Sequence, residues 1–400
     1  MKVKEFATVV SGATPSSKCS EYYDGDIAWF TPKDLSDQGT KHVSQCERYI
    51  TKAGYDSCST TMLPAGSVLM SSRAPIGLVA IADVPCCTNQ GFKSFDVDRS
   101  KCDPEYLYYY LKLHIKEVES LGSGTTFKEV SKESVENYDV MLPDLDVQQK
   151  IISVLRDIDS KIANNNAICS NLEAMAKLLY DYWFVQFDFP DENGKPYKSS
   201  GGKMIWNDEL KREIPAGWEV KSFREIASFT MGQSPKGDNY NTQGKGLPLL
   251  NGAVELAKGG IHKAKYTEEY NRVCENGDWL FCVRATLGNI HLADDKYCLG
   301  RGVASATPIA EIYKELVYFN LLNMIAYFEK ALSGSIIIGM TKDDITDYPI
   351  ICPSESVVKA FHHTSQDVFY KKELVERENQ QLTSLRDFLL PMLMNGQVKV

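Results

Sequence analysis

No stretch of the chain is apolar for the roughly 18 to 20 residues that a membrane-spanning helix needs; the longest runs, such as 335–340, fall far short. Residues 1–6 are charged and lack the apolar segment of a secretory signal. A cytoplasmic protein of ordinary globular composition is therefore expected. Cys-x-x-Cys spacing is missing, and the eleven cysteines are odd in number, with one adjacent pair at Cys86 and Cys87. This pattern fits neither a disulfide framework nor a zinc ribbon and leaves reduced, mostly buried thiols. Positive charge is not in excess either. A formal net charge of −9 argues against indiscriminate coating of nucleic acid, although a specific reader depends on local potential at its contact face. Residues 1–145 alone hold 15 Lys and Arg against 20 Asp and Glu.

Catalytic signatures are absent as well. The chain has no Gly-x-Gly-x-x-Gly opening a helix, no phosphate-binding Walker loop, no Asn-Pro-Pro-aromatic sequence and no His-Glu-x-x-His. Pro190, Asp191, Glu192 and Lys195 faintly imitate a nuclease cluster, but Asn193, Gly194 and Pro196 turn that segment into a loop. His362 and His363 are adjacent on a helix, hence about 100° apart, and read as a surface pair rather than a metal site.

What is present is a duplication. Glu5, Ala7, Gly12 and Pro15 return as Glu225, Ala227, Gly232 and Pro235, 220 residues later. Gly66, Leu69, Arg73, Gly77 and Gly91 return as Gly277, Leu280, Arg284, Gly288 and Gly302 at an offset of 211. Glu105, Tyr108, Lys132, Pro143 and Leu172 return as Glu315, Tyr318, Lys342, Pro353 and Leu382 at 210. A period this long means duplicated domains rather than a solenoid, whose units run to about 20 to 50 residues. The first copy carries about ten extra residues, mostly between Phe30 and Gly66.

Each copy has a mixed α+β head followed by a long helix. The expected organisation is a head over 1–145, a helix over 146–187, a linker over 188–217, a second head over 218–353 and a second helix over 354–395. Short strands are expected at 68–70, 78–82, 279–283 and 289–293, and helices at 104–119, with Asp103 as N-cap, and at 312–330. Ile151, Ile158, Asn165, Leu172 and Leu179 recur at sevens, with Val154, Lys161, Ile168, Met175 and Tyr182 as the complementary seam. The second helix offers Phe361, Val368, Val375, Leu382 and Leu389, then Thr364, Lys371, Glu378, Leu385 and Met392. Two matched heptad helices in one chain most simply pack on each other, with the polar centres Lys161, Asn165, Lys371 and Glu378 setting register. Each helix would span about 50 Å at about 1.5 Å per residue. The linker is long enough to run back along such a helix, so an antiparallel pair with pseudo-twofold related heads is sterically possible.

The heads share polar loops flanked by glycine, the kind of loop that binds phosphates and base edges. In the first head these supply Thr14, Ser16 and Lys18, then Lys33, then Ser72 and Arg73, then Asn89 and Gln90, then Thr125, Thr126 and Lys128. The second head offers Ser234 and Lys236, Asn251, Arg284, Arg301, Ser333 and Ser335, and Lys342. Arg73 and Arg284 fit a structural role and a DNA contact equally. Positions that differ between the heads, Lys33 against Ala253 and Gln90 against Arg301, are the candidates for discrimination.

The wording at the joints carries a resemblance. Leu142 and Pro143 lead into Val147, Gln148, Gln149 and Lys150; Trp183, Phe184, Val185, Gln186 and Phe187 close the helix; and 214–220 reads Ile-Pro-Ala-Gly-Trp-Glu-Val. With the two-head, two-helix layout, the whole chain resembles the DNA specificity subunit of type I restriction-modification systems. That resemblance implies two target-recognition domains joined by antiparallel coiled-coil helices. It implies a non-catalytic subunit reading a bipartite, asymmetric double-stranded DNA target, one half-site per head, with the helix pair as spacer ruler. It implies as partners two modification subunits and restriction subunits; S-adenosylmethionine, ATP and Mg belong to those partners, and no cofactor or metal to this chain. The second head departs from the first in carrying Ile336–Ile338 where the first has Thr125–Phe127. The competing reading is a helical scaffold whose heads bind proteins.

Overall fold

The computed structural model describes residues 1–398 apart from 124–127, 258–259, 285 and 332–338. Contacts divide the chain into two compact units, Met1–Lys161 with Thr383–Val400, and Ile162–Leu382. Each unit is an α+β head with segments of both long helices.

In the first head, strands Ala7–Ser11, Lys93–Val97, Val68–Ser72, Ile76–Ala82 and His42–Val43 lie side by side in that order. In the second, Ala227–Met231, Val303–Pro308, Trp279–Cys282 and Gly288–Leu292 repeat the first four. The fifth strand, parallel to its neighbour, comes from the segment that is longer in the first head. Val68–Ser72 and Trp279–Cys282 are buried throughout, because an inner strand covered on both faces needs a continuous apolar run. A second sheet in each head contains a parallel pairing, Ala28–Phe30 with Cys86–Thr88 and Leu249–Leu250 with Cys298–Leu299.

Helix Pro104–Leu113 starts as expected, with Pro104 in its first turn and the Asp103 carboxylate accepting from the Glu105 amide at 2.8 Å. It breaks at His114 and resumes as Ile115–Ser120, whereas the counterpart Lys314–Ala331 is continuous.

The long helices are Leu145–Tyr180, extended by a wider turn over Asp181–Val185, and Glu355–Met394. The expected set Ile151, Ile158, Asn165, Leu172 and Leu179 faces inward, but the complementary seam sits one residue later. Leu155, Ile162, Cys169, Ala176 and Trp183 are turned in, whereas Lys161, Ile168, Met175 and Tyr182 are exposed. A heptad alternates steps of three and four, and both orders keep the same sevens. The realised order places five apolar residues inside where the other would bury Lys161.

The second helix shifts in the same way, to Ser365, Lys372, Asn379, Arg386 and Leu393, while Thr364, Lys371 and Leu385 are exposed. Most of this seam is polar and finds partners on the first helix. Within Ile162–Leu382, Lys372 pairs with Glu173 at 3.3 Å, the Asn379 amide donates to Asn166 at 2.9 Å, and the Asn165 amide donates to Glu378 at 2.7 Å. Within the other unit, Arg386 reaches Asp159 at 3.2 Å. Partner numbers fall on one helix as they rise on the other, so the helices pair antiparallel.

Helix ends are built into the head cores. Ile151, Leu155, Leu393 and Met394 belong to the core of the first unit, and Tyr180, Trp183, Phe184, Val358 and Phe361 to that of the second. The repeated glutamates tie head to helix differently. Glu105 pairs with Arg156 at 2.9 Å and Lys41 at 3.0 Å. Burial alone would lift its carboxyl, but Arg156 and Lys41 hold it below the ordinary value. Glu315 is buried against His362, 2.6 Å from Nδ1. Burial raises its carboxyl despite that bond. His362 is thus half-buried in a pair with Glu315, not a surface residue; His363 is exposed.

The segment 188–217 does not run back along the helix. It folds onto its own unit: Asp188 accepts from the Ser199 amide at 2.7 Å, Met204–Asn207 pairs with Arg212–Pro215, and Phe189 stacks between Tyr197 and Trp218. Two buried anchors within the segment, Phe189 and Ile214, together with Phe187 and Trp218 that flank it, outweigh the polar residues that suggested an extended linker. Asp191 accepts from the Asn193 and Lys195 amides at 2.8 Å each, so the carboxylate-lysine look-alike is a turn.

Candidate nucleic-acid interface

In the first head the chain leaves strand Ala7–Ser11 through Gly12, where a Cβ would lie 2.1 Å from the Thr88 carbonyl oxygen. Only glycine permits this approach. The loop rests on the Thr88–Gly91 turn, with the Ala13 amide donating to Thr88 at 3.0 Å. Trp29 Nε1 donates to the Ala13 carbonyl at 3.0 Å and the Tyr23 hydroxyl to that of Pro15 at 2.8 Å, pegging the loop in place. Thr14 hydrogen-bonds to Gln90, and Ser16, Lys18 and Gln90 are exposed beside it. Asn89 is spent partly on its own turn, accepting from the Gly91 amide at 2.9 Å.

The shelf continues through the backbone. The Gly91 carbonyl accepts from the Ser72 amide at 2.7 Å, and the Ser72 carbonyl from the Val130 amide at 3.0 Å. This gathers Thr14, Asn89, Gln90, Arg73 and the segment of Lys128. The Ser72 side chain is buried, with Lys93 Nζ 3.5 Å from its hydroxyl, and is not presented to a ligand. Lys33 sits on helix Pro32–Gln38 in an exposed pair with Glu47 at 2.8 Å; that bond raises its ammonium above the ordinary value.

The second head repeats the frame. A Cβ on Gly232 would meet the Gly300 carbonyl oxygen at 2.1 Å, and Tyr240 donates to Pro235 at 3.1 Å as Tyr23 does to Pro15. Ser234 Oγ accepts from the Arg301 amide at 3.2 Å and lies 3.4 Å from Asn251 Oδ1. Gly302 accepts from the Val283 amide at 2.9 Å, and Val283 from the Met340 amide at 3.0 Å. Lys236, Arg284, Arg301 and Lys342 are exposed. Thr125, Thr126, Ser333 and Ser335 lie outside the described residues.

Sequence reading missed Trp29 and the tyrosine pegs, because Tyr23 and Tyr240 are 217 apart and fall out of register with the glycines. It also missed Lys93 and Glu129, which ion-pair at 3.2 Å beneath Arg73. The signal was available, since their counterparts by offset are Ala304 and Gly339. Chemically, each head offers a rigid backbone shelf presenting amides, hydroxyls and guanidinium groups, the donors that address base edges and phosphates. Among the described residues no group of three or more His, Cys, Asp or Glu is placed to hold a metal ion, and no helix is long and apolar enough to cross a membrane.

The pattern that defines the type I restriction modification DNA specificity domain matches residues 1–174 and 215–384. The chain is 31% identical to the type I restriction enzyme MjaIX specificity subunit of Methanocaldococcus jannaschii, over all of this chain and 93% of that one. It is 24% identical to the HindI specificity subunit of Haemophilus influenzae, over 74% of this chain and 77% of that one. A crystal structure of the type I restriction-modification S subunit from M. genitalium shares the fold, with a TM-score of 0.56 and 16% identity over 98% of this chain and 95% of that chain.

Proposed function

From a chain that belongs to the type I restriction-modification DNA specificity family, we infer a subunit that reads a bipartite, asymmetric DNA target, one arm per head. The helix pair sets the length of the unread spacer between the arms. The chain contributes recognition and no catalytic step. It works in the cytoplasm in a complex with modification subunits that methylate adenine from S-adenosylmethionine, and with restriction subunits that use ATP and Mg.

One observation supports this most. The two shelves share their glycines, their tyrosine pegs and their backbone bonds, yet differ where side chains are presented: Gln90 against Arg301, and Lys33 against Ala253. A frame repeated in both heads with differing tips is what two readers of different half-sites require, since phosphate contacts position and base contacts specify. The net charge of −9 is compatible with this, because exposed Arg and Lys gathered on a shelf set the local potential.

Selection from random duplexes by the chain in complex with its modification subunit tests the reading. Enrichment of two short sequence blocks at fixed separation is expected. Recovery of no sequence preference at any salt concentration would sink it.

A further inference from the structure

We propose that Arg73 reads a guanine in the arm addressed by the first head, and that Glu129 is the positioning residue that orients it. This rests on the DNA-reading function inferred above.

The arrangement is layered. Lys93 is an ammonium with a side chain only 8% exposed, and such a charge needs a partner. It has Glu129 Oε1 at 3.2 Å and the Ser72 hydroxyl at 3.5 Å. Glu129 is fixed in turn by its backbone, exchanging bonds with Ser123 at 3.0 and 3.1 Å. Its other oxygen, Oε2, faces Arg73 Nη1 at 3.9 Å. Arg73 follows the fully buried strand Val68–Ser72, is 39% exposed, and opens on a cavity of about 580 Å³ shared with Ile76, Glu119, Lys128 and Glu129. The Arg73–Glu129 contact is an ion pair longer than a hydrogen bond, made by a guanidinium that stays partly exposed.

This is a poor phosphate site. Two carboxylates, Glu119 and Glu129, line the same cavity and offset the charges of Arg73 and Lys128, so it holds no excess of positive charge to draw a phosphate. A base edge needs no such excess. Guanine O6 and N7 accept two parallel bonds from the arginine fork, which must arrive in one plane. Glu129, itself anchored by the buried Lys93, biases the fork toward that plane through its charge.

The second head lacks the device. Arg284 stands at the same place, with Met340 bonded to Val283 as Val130 is to Ser72. The positions of Glu129 and Lys93 are taken by Gly339 and Ala304. Neither offers a side chain that could orient a guanidinium, so the clamp belongs to one arm only.

The test uses the chain in complex with its modification subunits, binding duplexes that carry every base pair at each position of both arms. R73K keeps the charge and loses the fork; the side chain is exposed enough that folding is unaffected. R73K and E129Q should each cut discrimination for one G·C pair, in one arm, by roughly ten- to hundred-fold. The other arm and the spacer should be unchanged, and E129D should recover part of the loss. R73K with discrimination intact, or a uniform loss over all duplexes, makes Arg73 a phosphate contact and overturns the inference. A wild-type complex with no preference in either arm overturns the DNA reading itself.

Discussion

The amide of Asn165 donates to the carboxylate of Glu378 at 2.7 Å, with Asn165 buried in a seam that is otherwise apolar on its own helix. A polar group in such a place stabilises little by itself, and its loss takes one donor from Glu378 and leaves a small gap in the seam. N165A should lower stability by about 1 kcal/mol, the net worth of one hydrogen bond to a partly buried carboxylate. Thermal unfolding of the intact chain reads this; no change in midpoint would mean that water replaces the amide at no cost.

The shifted seam makes a sharper prediction. Ala176 is 4% exposed and Met175 57%, although the heptad count alone places Met175 inside. A176R should destabilise by more than about 3 kcal/mol through overpacking and a buried charge, whereas M175R should stay within about 0.5 kcal/mol. The reverse ranking would restore the seam expected from sequence.

That seam shows where legibility ended. Ile151, Ile158 and Asn165 were identifiable because sevens survive either order of three and four; the complementary set needed a count of which order buries Lys161. Heads were legible through Gly12, Gly232 and the repeated strands, since backbone approach allows no substitute there. The folded segment 188–217 was not, because its polar composition masks two anchors, Phe189 and Ile214, that act only when Trp218 meets Phe189. Lys93 and Glu129 were legible only by comparing the copies, where Ala304 and Gly339 replace them, because an ion pair between residues 36 apart leaves no local pattern.

Glu105 and Glu315 occupy equivalent positions and should respond oppositely to pH. The Glu105 carboxyl is held low in the fold, so its contribution is present above the ordinary carboxyl value and is lost as pH falls through the folded one. E105Q should therefore be less stable than wild type at pH 7, and the gap should close in acid. The Glu315 carboxyl is raised by burial, so wild type loses stability as pH rises from the ordinary value through the folded one. E315Q should match wild type in acid and exceed it at pH 7. Melting curves across pH check both; parallel curves for the two variants would contradict the assignment.

The central claim is that each head chooses one arm and the helices choose the gap. Mapping methylated adenines in a host that expresses the chain with its modification subunits, before and after residues 1–145 are exchanged for the corresponding head of a relative, tests it directly. A two-block motif in which one block changes, while the other block and the spacer persist, is the expected result. A change in both blocks, or the absence of any two-block motif, would contradict it.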